Sequence, residues 1–188
     1  MRNGFKKYDN VGLPKLSFHN LSLILERGRP TGRKVLVGSH PRTPVMDEAE
    51  LLHYENNILA KVDVECDDPS SRRGSGSSSS SSEGSPTKKK KKAEQGVDEI
   101  LNLKMLETLL DYSVPTTIVL ASGDGAVGQF SEGFFAVVER ALIRGWAIEL
   151  ATFSGTMSKS YSDRAFRLRW QGQFRVIFLD DYVEELAG

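Results

Sequence analysis

The sequence predicts an α/β fold: a doubly wound, mostly parallel sheet with helices on both faces. Three observations carry this. Short apolar runs alternate with stretches of helical periodicity along most of the chain. The runs are apolar at successive positions, as in Thr116-Thr-Ile-Val-Leu-Ala121, which marks strands covered on both sides. The chain has 188 residues, 39% of them apolar, which suits one domain with a real core.

Each element has its own signal. Ser17 reads as an N-cap for a helix carrying Leu21, Ile24 and Leu25, with Gly28 as its left-handed stop and Pro30 just beyond. Lys34-Val-Leu-Val-Gly38 reads as a buried strand. Pro44 to Asn57 predicts a helix, and Ala60-Lys-Val-Asp-Val64 alternates like a strand. Val97 to Asp111 predicts a helix that is apolar around most of its circumference and therefore well buried. Thr116 to Ala121 is the strongest strand. Gly133 to Arg144 predicts a helix with Phe134, Val137, Val138, Ala141 and Leu142 inward and Gly145 as its stop. Trp146 to Phe153 reads as a strand, Lys159 to Arg169 as a helix, Arg175 to Leu179 as a strand and Asp181 to Leu186 as a last short helix. Strict alternation of this kind implies parallel strands joined by crossover helices.

One stretch departs from the pattern. From Cys66 to Glu94 the chain is polar and repetitive, with six serines from Ser77 to Ser82 and five lysines from Lys88 to Lys92. Such a composition buries too little apolar surface to offset its ordering entropy. It predicts a disordered insertion over residues 66–94 within a single domain spanning 1–188.

Composition excludes several classes. Basic and acidic side chains balance at 25 each, so nucleic-acid binding has to come from local patches. The single cysteine, Cys66, makes neither an internal disulfide nor a cysteine zinc site. His19, His40 and His53 are scattered without a metal-binding spacing. No apolar run reaches the roughly 20 residues that cross a bilayer, and Met1-Arg-Asn-Gly-Phe-Lys-Lys7 lacks the apolar core of a signal peptide. These features predict an intracellular protein of cytoplasm or nucleus, with no membrane partner.

Parallel α/β sheets place their sites at the C-terminal ends of strands. There the chain reads Ala121-Ser-Gly-Asp-Gly125, an aspartate between two glycines directly after the most apolar strand. The glycines let the backbone turn tightly and approach a ligand, and the carboxylate of Asp124 suits a hard divalent cation. The plainer reading is a turn or cap. Asp98, in Gln95-Gly-Val-Asp98, opens the buried helix before that strand, where the plainer reading is a helix-dipole role. Ser39, Ser122, Ser154 and Ser158 lie near strand ends and suit phosphate or turn contacts. The lysine run, Lys88, Lys89 and Lys90 included, suits phosphate contact, a nuclear import signal or a solvated linker.

Five segments together resemble a known family. They are Leu23-Ile-Leu-Glu-Arg-Gly-Arg-Pro30, Arg33-Lys-Val-Leu-Val-Gly-Ser39, Gln95-Gly-Val-Asp98, Val119-Leu-Ala-Ser-Gly-Asp-Gly125 and Val138-Glu-Arg-Ala-Leu-Ile-Arg-Gly-Trp146. In this order they resemble NYN domains, of the PIN-like ribonuclease superfamily. The resemblance implies a doubly wound sheet with acids at strand ends and at a helix start. It implies that those acids bind Mg2+ or Mn2+ and that the metal activates a water which hydrolyses single-stranded RNA. On that pattern Asp98 and Asp124 are the catalytic and metal-binding acids.

Two departures bear on activity. Such domains begin with a strand ending in aspartate, central in the sheet, and residues Met1 to Lys15 offer no apolar run for it; Asp9 is a poor substitute. The chain therefore reads as a shortened form. An upstream start restoring a strand with an aspartate would support this. Ala126 also stands where relatives carry a further acid, leaving Glu132 as the nearest replacement metal ligand. The expectation is a metal-dependent ribonuclease, or a catalytically inactive RNA-binding or protein-interaction module on the same fold.

Overall fold

The helix expected after Ser17 forms, and its cap explains its start. In the computed structural model, which describes residues 16–66, 89–93, 96–125 and 133–187 (63–66 and 89–93 by backbone alone), α1 spans Phe18–Glu26. Ser17 Oγ accepts the Asn20 N–H at 3.3 Å. The helix ends one residue earlier than Gly28 predicts. Arg27 takes the left-handed conformation, φ 49°, and donates its N–H to Leu23 O at 2.8 Å.

Strand β1, Val35–Ser39, follows, and then helix α2, Pro44–Leu51. Here the sequence reading is corrected. The helix stops at Leu51, not Asn57, and Glu55–Leu59 forms a strand, β2, parallel to β1. His53 turns the chain with a φ of 63°, and Glu55 N–H then bonds Lys34 O at 2.8 Å to start the pairing. Glu55-Asn-Asn carries no strand signal of its own. Pairing with β1 overrides the local preference.

At the two ends of the Ser/Lys segment, strand β3, Val62–Cys66, pairs antiparallel with β4, Lys89–Ala93; the residues between them lie outside those described. The register sets the acidic positions 63 and 65 opposite Lys92 and Lys90.

The second half holds most of the core. Helix α3 is Val97–Asp111, β5 is Thr117–Ala121, α4 is Gly133–Ile143 and β6 is Ala147–Thr152. A 3-10 turn, Ser154–Thr156, leads to α5, Lys159–Ser162, and α6, Arg164–Arg169. The single helix expected over Lys159 to Arg169 is broken at Asp163, whose carboxylate caps α6 by accepting Phe166 N–H at 2.8 Å. Strand β7, Phe174–Phe178, a 3-10 turn, Leu179–Tyr182, and α7, Val183–Leu186, complete the described chain.

Strands β5, β6 and β7 form one parallel sheet, and its faces follow from the period of two. Ile148 and Leu150 point into a cluster with Met105 and Leu109 of α3 and Val138, Ala141 and Leu142 of α4. Ala151, on the opposite face, joins Ile177, Leu179 and Leu186, against which Leu21, Ile24 and Leu25 of α1 pack. Helices therefore cover both faces of this sheet. Among the described strands, however, the parallel pairing falls into two small sheets, β1–β2 and β5–β6–β7, not one.

Helix α3 ties the two together. It packs against β1 as well as α4. Glu55 of β2 takes a hydrogen bond from Lys104 of α3 at 2.6 Å and from Arg33 at 2.9 Å. These outweigh its burial and pull its carboxyl down to about 2, Lys104 contributing most. On the other face, buried Glu149 of β6 takes Arg29 at 2.8 and 3.0 Å, together with Arg27 and Arg175. No helix among the described residues is long and apolar enough to cross a membrane.

Candidate functional site

The two sequence-predicted acids come together. Asp98 sits in the first turn of α3, after Gly96 turns the chain with a φ of 83°. No side chain caps this helix start, and Asp98 with Glu99 occupies its first turn, where the helix-dipole reading also places an acid. Asp124 follows β5 on the Ser122-Gly123-Asp124-Gly125 loop. Both side chains face solvent. Partial burial, then the charge of Asp124, then that of Glu99, push the Asp98 carboxyl above its ordinary value. Two elements far apart in sequence thus converge two carboxylates within electrostatic range.

The loop that carries Asp124 is held tightly. Ser122 Oγ accepts the Asp124 N–H at 3.2 Å, a local turn bond. Gly123 O accepts Ser158 N–H at 2.8 Å, joining this loop to the one after β6. Tyr161, fully buried, donates its hydroxyl to Asp124 O at 3.1 Å. Burial, and then the charge of Asp124, push the Tyr161 phenol up, so it remains a donor. The glycines are needed for contact. A Cβ on Gly123 would lie 2.4 Å from Thr152 Oγ1 and 2.8 Å from Thr156 O, and one on Gly125 would lie 2.7 Å from Ser158 Oγ.

That contact gives a prediction. Gly123→Ala destabilises the protein by about 1–3 kcal/mol, because a backbone carbonyl cannot swing aside as a side chain can. Gly155→Ala, whose Cβ meets nothing within 4 Å, is the control and leaves the melting temperature unchanged. Equal melting temperatures for the two variants would show that the loop is not packed as described.

The remaining candidates divide. Ser122 and Ser158 belong to the loops around Asp124. Ser39 ends β1, in the other parallel sheet. Ser154 is committed elsewhere. Its N–H and hydroxyl bind the Asp180 carboxylate at 2.7 and 2.9 Å and hold that carboxyl low, the backbone bond contributing most. Lys89 and Lys90 lie in β4, paired with β3. Glu132, Lys88, Ala126 and Asp9 fall outside the described residues.

Sequence reasoning missed three residues here. Tyr161 and buried Thr152 line the Asp124 loop, and Asn102 is buried one helical turn beyond Asp98. Asn102 had a readable signal, a polar residue in an otherwise apolar helix. Tyr161 had none, since its role arises only when α5 packs under the loop. Among the described residues no cluster of three His, Cys, Asp or Glu side chains forms.

No family model matches the chain, and neither a curated protein nor a solved structure shows significant similarity to it.

Proposed function

We propose that the chain is an NYN, PIN-like domain that hydrolyses single-stranded RNA with the help of Mg2+ or Mn2+, inside the cell. The observation that carries this reading is the convergence of Asp98 and Asp124 beside a glycine loop at the end of a parallel strand.

The residues fit a hard dication. Magnesium keeps several waters and needs only one or two carboxylates besides substrate phosphate oxygens. Burial and the charge of Asp124 raise the proton affinity of Asp98, which marks a place short of positive charge, and Asp98 and Asp124 would be the protein's anionic ligands. When bound, such an ion lowers the pKa of water and offsets the charge that develops on the phosphate.

The chain's own groups would do the rest. Gly123 and Gly125 keep the loop narrow enough for an RNA backbone to approach it. Ser122 and Ser158 offer hydroxyls beside it, and Lys88, Lys89 and Lys90 offer charge for more distant phosphates. Glu132 would be the third acid. Its position follows Asp124 in sequence as the helix α4 begins.

A second reading has its own support. Ala126 stands where relatives carry a further acid, and with fewer carboxylates to hold a metal the domain would bind RNA without cutting it. One experiment separates them. The purified chain is incubated with labelled single-stranded RNA in Mn2+ and in EDTA. Cleavage only with Mn2+ supports the nuclease. Intact RNA that is bound, and released by salt, supports the binding module.

A further inference from the structure

Three guanidiniums gather on a single buried carboxylate. Arg27, Arg29 and Arg175 all pair with Glu149, which can neutralise only one of them. Arg29 turns its other donors back on α1, with Nε to Glu26 O at 3.2 Å and Nη2 to Leu25 O at 3.3 Å. Arg27 and Arg175 do not. Among the described residues each gives Glu149 one N–H, out of five donors on a guanidinium.

Both of these arginines border one cavity. It measures about 370 Å3, and Phe178, Asp181 and Tyr182 also line it. Sites for small organic ligands start at roughly 300 Å3. Arg175 is 59% exposed and Arg27 31%, so solvent and ligand reach both. The backbone adds a second indication. Arg27 holds a left-handed φ of 49°, which costs a non-glycine residue about 1 kcal/mol, although Gly28 stands next to it. The chain accepts that strain with an arginine at the rim.

The lining has three chemistries. Two forked cations suit a phosphate, which takes bidentate N–H pairs. Phe178 and Tyr182 offer aromatic surface for a base. Asp181 is an acceptor, suited to a ribose hydroxyl or a base amino group. The lining itself carries two positive side chains, Arg27 and Arg175, and one negative, Asp181. A bare inorganic anion would use only the arginines.

We infer that this cavity binds a nucleoside monophosphate, its phosphate on Arg27 and Arg175 and its base against Phe178 and Tyr182. The site shares no residue with Asp98, Asp124 or their loop, and it requires no catalysis. The same chemistry arrives as a free 5′-mononucleotide or as the 5′-phosphorylated end of an RNA strand.

The test is calorimetric titration of the whole chain with AMP, adenosine and a 5′-phosphorylated trinucleotide. AMP binds, and adenosine binds at least about tenfold more weakly, because charge-assisted bonds to the phosphate are lost. Arg175→Gln, at an exposed position, weakens AMP about tenfold. Arg27→Gly, which suits the left-handed backbone, does the same. A trinucleotide that binds more tightly than AMP assigns the cavity to a strand end, and one that binds no better assigns it to the free nucleotide. The inference is overturned if the folded chain binds no AMP at roughly 5 mM. It is also overturned if adenosine binds as well as AMP, or if both arginine variants bind AMP as tightly as the native chain. Loss of RNA cleavage with AMP binding intact would count against the nuclease reading alone.

Discussion

On the proposed nuclease reading, Asp124→Asn is expected to lower Mn2+-dependent RNA cleavage by at least about a hundredfold, the order of effect expected when a metal site loses part of its ligand set. The substitution removes the Asp124 charge that acts on Asp98 and keeps the side-chain shape. It also leaves the loop bonds in place, since Ser122 and Tyr161 contact the Asp124 main chain rather than its carboxylate. A loss of activity in this variant is therefore a loss of charge, not of fold. Cleavage at the native rate would remove Asp124 from the mechanism.

The same variant makes a titration prediction. Asp98 has its carboxyl raised in the folded protein by partial burial and by Asp124. A raised acid contributes stability that is fully present below its unfolded value, near 3.9, and lost as pH rises through the folded value. At neutral pH the ionised pair thus works against the fold. Asp124→Asn lowers the Asp98 midpoint toward the ordinary carboxylate range, measurable by NMR. It also raises stability at pH 7 by less than about 1 kcal/mol, because both side chains meet water. Added Mn2+ stabilises the native chain and not the variant, because a ligand that binds only the folded state shifts the melting point. A variant that loses activity while gaining stability has the pattern of a functional site held under strain.

How much of this was legible beforehand follows from what each residue depends on. Strand β5 and helix α4 were readable because their apolar patterns are local and strong, and the glycines around Asp124 marked a tight turn. Glu55-Asn-Asn was not readable as a strand, because its stability comes from pairing with β1 and from Lys104 and Arg33. Lys89–Ala93 was not readable as a strand, because its pairing is with a β3 that lies far back in the sequence. Asp98 and Asp124 could be named singly. Their meeting could not be read, since it depends on how α3 packs against β1 and α4. The cluster on Glu149 was invisible for the same reason: Arg27, Arg29 and Arg175 are brought together only by α1 crossing the sheet.

That cluster yields the largest stability effect. Glu149→Gln costs about 3 kcal/mol, the low end for breaking a buried ion pair, because the arginines keep part of their hydration. The melting temperature falls by roughly 6–12 °C for a chain of this size. Burial alone would raise the Glu149 carboxyl. Hydrogen bonds from Arg29 and Arg175, with the charge of Arg27, outweigh it and hold the carboxyl low. A depressed acid contributes stability that is present above its unfolded value, near 4.3, and lost as pH falls through the folded value. The native chain should therefore lose stability below about pH 4 more steeply than the variant. Salt distinguishes lost pairing from lost packing. In the variant three guanidiniums repel one another, and 1 M salt, which shortens the screening length to about 3 Å, restores part of the deficit. In the native chain the same salt weakens the arginine–carboxylate attraction. Opposite salt responses in thermal melts would establish that α1 is held to the β5–β6–β7 sheet by charge as well as by Leu21, Ile24 and Leu25. Parallel responses would mean that the apolar contacts alone hold it.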